Sequence, residues 1–410
     1  MTFLYKIAIS LYHVFVWLAA PFNGKARLYV TGRRNWHIKL LRQVDRNARY
    51  IWVHCASLGE FEQGRPLIEA IKTKYTEYKI VLTFFSPSGY EIRKKYPFAD
   101  IISYLPADTR RNAKHFLDAI KPEKALFIKY EFWYHYITEL HRREVQLFLV
   151  SGMFRNNQVF FSEMPWGKWF RNLLNNFTCL FVQDNESCVL LEKIGITKCT
   201  ISGDTRFDRV ASISKSAKDI PIVNKFAANN PVFIAGSTWS PDEELLARII
   251  NENDNYRSII APHEVTPENV SKLEKLLKKP TIRLSLATEA DIHLYQVLII
   301  DSIGLLSSVY RYGKFAYIGG GFGVGIHNIL EAATFGLPVI FGPNYQKYRE
   351  ARDMVELGTA LPVNTPKELQ DAISGLWNNA AIRDELSQKS RDYVNKNRGA
   401  TRLILDRIFQ

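Results

Sequence analysis

From residue 50 onward, short runs rich in Val, Ile and Phe alternate with longer amphipathic stretches, and no other feature constrains the fold as much. Apolar runs long enough to be buried on both faces, separated by helix-length segments, are the pattern of strands and helices around a parallel sheet. The pattern predicts strands over residues 51–58, 79–86, 101–105, 124–130, 146–151 and 179–184, then over 232–237, 258–262, 297–301, 315–319 and 338–341. Between the two sets, residues 208–231 are polar, hold two prolines and lack an apolar period, so the domain boundary is expected there. The last thirty residues read as helix. The expectation is an α/β chain with two doubly wound domains, which suits 410 residues at about 100 to 200 per domain. A hydrophobic share of 47% with 23% charged residues excludes a disordered, collagen-like or multi-spanning chain. Four cysteines, Cys55, Cys179, Cys188 and Cys199, are too few and scattered for a disulfide scaffold, and no C-x-x-C pair suggests zinc; a reducing compartment fits.

The amino-terminal fifty residues differ from the rest. Residues 3–20 read FLYKIAISLYHVFVWLAA, an apolar segment broken by Lys6, Ser10 and His13, short and polar for crossing about 30 Å of hydrocarbon. A single span or in-plane helix, a signal peptide and an ordinary core helix all fit it. Residues 1–50 carry nine Lys/Arg against one acid, Asp45, so +8 of the net charge of +13 lies there. Nucleic-acid binding would interleave basic and aromatic residues along a groove, whereas this charge directly follows an apolar segment. Lys25, Arg27, Arg33 and Arg34 are therefore expected to meet an anionic membrane surface, each adding about 1 kcal/mol, with the body on the cytoplasmic side. Solvation of a helix surface by these arginines is the alternative.

Two doubly wound domains place a cleft at the carboxyl ends of their strands, so residues just after strands are the candidates for chemistry. After 51–58 comes HCASLGE, in which Glu60 is either a helix-start residue or a general base. After 124–130 comes EFWYH, where Glu131 beside Phe132, Trp133 and Tyr134 either finds a hydrogen-bond partner or works as an acid. In GDTRFDR, Arg206 can grip a carboxylate or phosphate, or be a surface arginine. In GSTWSPDEE, residues 236–244, the Gly236, Ser237 and Thr238 turn can hold a phosphate; an N-capped helix needs the same residues. Residues 318–343 hold Gly319, Gly320, Gly321, Gly323 and Gly325, followed by an expected helix from His327 with Glu331 one turn on, placed to accept ribose hydroxyls. A glycine turn before a solvated helix face is the plain reading; glycines, His and Glu together favour a nucleotide-sugar site. The glycines come too late in their domain for a dinucleotide fingerprint.

In these motifs, HCASLGE, YEFW, GDTRFD, GSTW and the late glycine loop with HNILEA, with the apolar start and Gly32-Arg33, the chain resembles the Kdo transferases. These membrane-associated glycosyltransferases move 3-deoxy-D-manno-octulosonic acid from CMP-Kdo to a lipid A precursor, and the resemblance runs over almost the whole chain. It implies a GT-B fold: a membrane anchor or interfacial helix over 1–22, an acceptor-binding domain over 23–210 and a nucleotide-sugar-binding domain over 211–410. It also implies a metal-independent, inverting reaction on lipid IVA at the cytoplasmic face of the inner membrane, with no cofactor and no nucleic acid. Glu60 would be the base, with Glu131 and Arg206 supporting the transition state. The CMP site would use Pro262, His263, Gly304, Leu305, Leu306, Asn328, Ile329, Leu330 and Glu331. Two positions depart from the family pattern: His263 stands where many relatives have Arg, and Leu305 where a Gly-Glu pair is common. A GT-B transferase or epimerase using a UDP-sugar, and an inactive lipid-binding scaffold, are the rival readings.

Overall fold

β1 (Arg49–Cys55) shows why such apolar runs become central strands. Side chains alternate across a sheet. Tyr50 and Trp52 enter a core with Phe116, Phe127 and Tyr136, while Ile51, Val53 and Cys55 enter another with Phe61, Leu67 and Ile71. The computed structural model describes residues 1–228 and 231–410. They divide into two compact units, Met1–Arg209 with Arg398–Gln410, and Val210–Asn397.

The first unit adds β2 (Tyr78–Phe84), β3 (Ile101–Tyr104), β4 (Pro122–Ile128), β5 (Gln146–Gly152), β6 (Cys179–Val182) and β7 (Cys199–Ile201). All pair in parallel, in the order β3-β2-β1-β4-β5-β6-β7. The chain moves outward from β1 to β3, then returns to lay β4 on the other side of β1. Diverging crossovers leave a crevice at the carboxyl ends of such a strand pair.

The expected division of the chain needs one correction. Arg398–Gln410 belongs to the first unit. The helix Ala400–Ile408 buries Ile404, Leu405 and Ile408 in the same core as the helix Leu58–Lys74, and Phe409 stacks on Tyr75 at 3.7 Å. Asp208 caps it from a distance, its carboxylate accepting from the backbone N–H of Gly399 and Thr401, both at 2.7 Å. The expected single carboxyl-terminal helix is accordingly two, Ala380–Lys396 and Ala400–Ile408, parted at Gly399 with φ 109. Ile404→Ala is expected to cost the first unit about 2 to 5 kcal/mol, measured by denaturant unfolding.

The second unit contains β8 (Phe233–Thr238), β9 (Ser258–Pro262), β10 (Thr281–Arg283), β11 (Val297–Ile299), β12 (Phe315–Ile318), β13 (Val339–Phe341) and β14 (Ala360–Pro362). They form a parallel sheet in the order β10-β11-β9-β8-β12-β13-β14, with the same reversal between β8 and β12. The polar stretch expected to join the domains carries helices over Thr205–Lys215 and Pro221–Ala227, the latter burying Val223 and Phe226.

The amino-terminal segment is a helix, Thr2–Ala19, with no buried residue, which removes the core-helix reading. It is long and apolar enough to cross a membrane. One face nevertheless rests on the first unit. Tyr5 Oη donates to Asp108 Oδ2 at 2.5 Å, and His13 Nε2 meets Tyr29 Oη at 3.0 Å. Phe3, Phe15, Trp17 and Leu18 face outward, exposed. Of the four expected membrane-binding cations, Lys25, Arg27 and Arg34 are exposed. Arg33 is not one of them: its guanidinium donates to the carbonyls of Leu105, Tyr29 and Phe85 and lies 3.6 Å over the Tyr29 ring, so it serves the fold. Cys188 and Cys199 are disulfide-bonded, a departure from the expected reduced thiols, whereas Cys55 and Cys179 are free and buried.

Candidate active site

In the first unit the reversal lies between β1 and β4, and the two acidic candidates follow these strands. Ser57 caps the helix Leu58–Lys74, and Glu60 at the third helical position completes a capping box. Its Oε2 accepts from the backbone N–H of Ala56 and, at 3.2 Å, of Ser57. The helix-start reading is therefore fulfilled, and the electrostatics add a second property. Burial, then the charge of Glu131, pushes the Glu60 pKa up to about 7, against the two N–H bonds and Lys129, which lower it. A carboxylate poised near neutrality has the proton affinity of a general base.

Glu131 is buried just after β4, behind Lys129, whose φ of 68 lies in the sparsely populated left-handed region. Its aromatic neighbours supply a partner: Trp133 Nε1 donates to Glu131 Oε2 at 2.6 Å. His54 Nε2 lies 2.9 Å from the same oxygen, and His54 Nδ1 lies 2.8 Å from Thr83 Oγ1, which also accepts from Trp52 Nε1 at 2.8 Å. Sequence reasoning missed His54, although it opens the HCASLGE motif and shares the face of Trp52 at period two. Glu60 and Glu131 thus come together. Arg206 does not hold an open guanidinium: it pairs with the buried Asp204, Nη2 to Oδ2, at 2.7 Å.

In the second unit the turn after β8 and the glycine turn after β12 meet at the other reversal. Ile318 pairs with Gly236, and Gly319 N–H donates to the Gly236 carbonyl at 2.9 Å. A Cβ on Gly319 would stand 2.2 Å from the Ser237 carbonyl oxygen, so only glycine permits this approach. Gly320, with φ 89, turns its N–H to Asp242 Oδ2 at 2.9 Å. Asp242 Oδ2 also accepts from Trp239 N at 2.9 Å, and Oδ1 accepts from Tyr317 Oη at 2.6 Å. This buried carboxylate ties the two turns together. It was not singled out in the sequence; its signal was an acid at the third position of the helix Ser240–Asn251.

These contacts correct three expectations. The start of the helix Ser240–Asn251 already holds the protein's own carboxylates, Asp242 and Glu243, and the Thr238 hydroxyl donates to Glu243 at 2.9 Å, so neither is open to a phosphate. Ser237 remains at the turn with a strained φ of 54. No helix starts at His327: the helix is one turn, Leu330–Ala333, whose entry Asn328 makes by accepting from Leu330 N and donating to Glu331 Oε1, both at 3.1 Å. Ile329 and Leu330 are buried core residues, so ligand contact is left to their backbone. The glycines close backbone on backbone as well as leaving space, since Gly321 packs against Gly342.

What the second unit does assemble is a stack of rings. His263, following Pro262 at the end of β9, lies face to face with His327 at 4.2 Å and with Trp239 at 4.6 Å, and Trp239 Nε1 donates to His327 Nε2 at 2.9 Å. Burial, then the neighbouring His263, lowers the pKa of His327. Gly304, with φ 88, is exposed before the half-buried Leu305 and Leu306. The Leu306 side chain reaches the Gly236 backbone. Among the described residues no group of three or more His, Cys, Asp or Glu is placed to hold a metal ion.

Residues 32–209, which carry the Glu60 and Glu131 constellation, match the family model described as 3-deoxy-D-manno-octulosonic-acid transferase (kdotransferase). The 3-deoxy-D-manno-octulosonic acid transferase of Haemophilus influenzae is 27% identical over 373 residues, covering 87% of this chain and 86% of that protein. That of Aquifex aeolicus is 26% identical over 351 residues, covering 83% and 90%. The chain is similar to the Kdo transferases over most of its length. These relatives support a glycosyltransferase. Solved structures share its α/β two-domain GT-B-like fold. A UDP-GlcNAc 2-epimerase from Neisseria meningitidis bound to UDP-GlcNAc matches with a TM-score of 0.60 at 14% identity, covering 87% of this chain and 98% of that one. MurG of Acinetobacter baumannii matches with a TM-score of 0.56 at 11% identity, covering 87% and 98%.

Proposed function

We propose that this protein is a Kdo transferase that moves Kdo from CMP-Kdo to a phosphorylated lipid A precursor of the lipid IVA type, with inversion, during lipopolysaccharide synthesis. The observation that carries the reading is Glu60, a half-buried carboxylate at the reversal of the first sheet, pushed up to about 7 by burial and by Glu131. Glu60 takes the proton of the acceptor hydroxyl as its oxygen attacks the anomeric carbon of Kdo, and the bond from that carbon to the CMP phosphate breaks on the opposite face. The first unit, in this reading, binds the acceptor. Glu131 tunes the base, and Arg206, sharing its charge with Asp204, has at most a supporting part.

The second unit takes the donor. The half-buried turn at Ser237, beside the buried Gly320 and Gly321, faces the leaving phosphate in this reading, with His263 in place of a permanent cation. The His263 and His327 rings, Gly304 to Leu306, and Asn328 to Glu331 hold the nucleoside. Calorimetric titration with CMP and with UDP tests the assignment: CMP should bind and UDP should not, and preferential UDP binding would turn the reading to a UDP-sugar enzyme.

In this reading the amino-terminal helix holds the enzyme at a membrane surface. Its hydrogen-bonded inner face and apolar outer face suit a helix lying in the interface of the cytoplasmic leaflet rather than one leaving the body to span. Exposed Lys25, Arg27 and Arg34 then attract anionic head groups. Replacing Phe15 and Trp17 together with Ser should release the protein from anionic vesicles in a flotation assay while leaving its melting temperature within about 2 °C, because surface changes cost little. Unchanged flotation would remove the helix from this role.

A further inference from the structure

His54 has no part in the capping of Glu60, yet it stands at the middle of a chain of buried hydrogen bonds that ends on Glu131. Trp52 and His54 share one face of β1, and Thr83 of β2 lies opposite His54. An indole N–H only donates, so Thr83 Oγ1 accepts from Trp52 and has its own proton to give to His54 Nδ1, 2.8 Å away. On the other side, His54 Nε2 lies 2.9 Å from Glu131 Oε2, and the Trp133 indole N–H, 2.6 Å from that oxygen, also lies 3.0 Å from Nε2. The opposite tautomer, with Nδ1–H toward the Thr83 carbonyl at 3.2 Å, would let Nε2 accept from Trp133 but set it against the carboxylate oxygen 2.9 Å away, and the Trp133 N–H already has its shorter bond to that oxygen. Hydrogen-bond accounting therefore assigns the proton to Nε2.

We propose that His54 is a positioning residue for the transfer: Trp52 and Thr83 lock its tautomer, its Nε2–H holds Glu131 as a fixed anion, and through that anion it sets how readily Glu60 takes a proton. A buried carboxylate robbed of a donor takes up a proton instead of staying charged. Among the described residues, the groups that interact with Glu60 include those at the ends of β1 and β4. Glu131 and Lys129 follow β4, as does Tyr130, and Cys55 ends β1; Glu131 itself also faces Tyr5 of the amino-terminal helix. Among them Glu131 is the charge that raises the proton affinity of Glu60, second only to burial. The inference rests on the reading of Glu60 as the base.

The test follows the Glu60 carboxyl by infrared titration of the full chain, its band identified by subtracting the Glu60→Gln spectrum, alongside the pH profile of kcat/KM. His54→Leu removes one of the two donors that hold the Glu131 charge beside Glu60 and leaves Trp133, so the Glu60 midpoint should fall by up to about one unit, a tenfold change in its acid dissociation constant. The acid limb of the rate profile should move with it. His54→Gln, whose amide N–H can donate where Nε2 does, should keep the midpoint within about 0.3 units. Thr83→Val, which unlocks the tautomer without touching either carboxylate, should lower the midpoint by a smaller amount, and it carries the test if His54→Leu does not fold. An unmoved or raised midpoint in these variants, whatever their rates, overturns the proposal and leaves His54 a packing residue. Persistent transfer by Glu60→Gln would sink the base assignment instead, and the infrared midpoints would still decide the role of His54.

Discussion

Glu60→Gln is expected to lower the transfer rate by about 100-fold to 10,000-fold, the range a positioned general base contributes. The fold should be unaffected, because a glutamine at the third helical position can accept the same Ala56 and Ser57 N–H bonds that the glutamate accepts. Loss of rate with an unchanged melting temperature separates chemistry from structure. Wild-type activity carries the matching signature. A base must be unprotonated to act, and Glu60 is pushed up to about 7, so kcat/KM should fall as the pH drops through about 7 and level off above it. A carboxylate at its ordinary pKa would leave the rate flat down to about pH 5. A lipid-binding scaffold, by contrast, would show no transfer for the substitution to remove.

Asp242→Ala is expected to destabilise the second unit by about 3 to 5 kcal/mol. The substitution strands the Trp239 and Gly320 N–H groups and the Tyr317 hydroxyl, all donors to one buried carboxylate, and a buried donor left unpaired costs about 1 to 3 kcal/mol. For a unit of this size that corresponds to roughly 10 °C in Tm, read by scanning calorimetry. Donor binding should weaken with it, since this carboxylate is one of the ties between the two turns that would line the nucleotide. A loss under about 1 kcal/mol would mean that the turns hold each other without it.

Much of this architecture was legible because two-sided burial writes an uninterrupted apolar run. Each of the eleven runs predicted as strands contains one, whereas β7, β10 and β14 escaped notice. Those three are three-residue strands at sheet edges, paired on one side, and they need no continuous apolar stretch. The sheet reversals explain why Glu60 and Glu131 could be found: both follow strands that flank the first reversal, so position along the chain already selected them. Their partners were harder to see. His54 looks like any strand residue until β2 is laid beside β1, and Asp242 looks like a helix-start acid until the turn after β12 is brought against it. The correction at Arg33 has the same origin. A basic residue in a basic segment reads as a surface charge, and only the folded Tyr29, Phe85 and Leu105 backbone shows where its guanidinium goes. The carboxyl-terminal helix was assigned to the nearer domain by sequence adjacency, which carries no information about the Asp208 cap or the core that receives Ile404.

The central claim is Kdo transfer with Glu60 as the base, and one incubation addresses it. Purified protein is given CMP-Kdo and a tetra-acylated lipid A precursor, with Glu60→Gln in parallel, and the lipid is weighed by mass spectrometry. The account predicts a product heavier by one or more Kdo residues from the wild type and almost none from the variant. An unmodified lipid with CMP-Kdo, or equal product from both proteins, would contradict it.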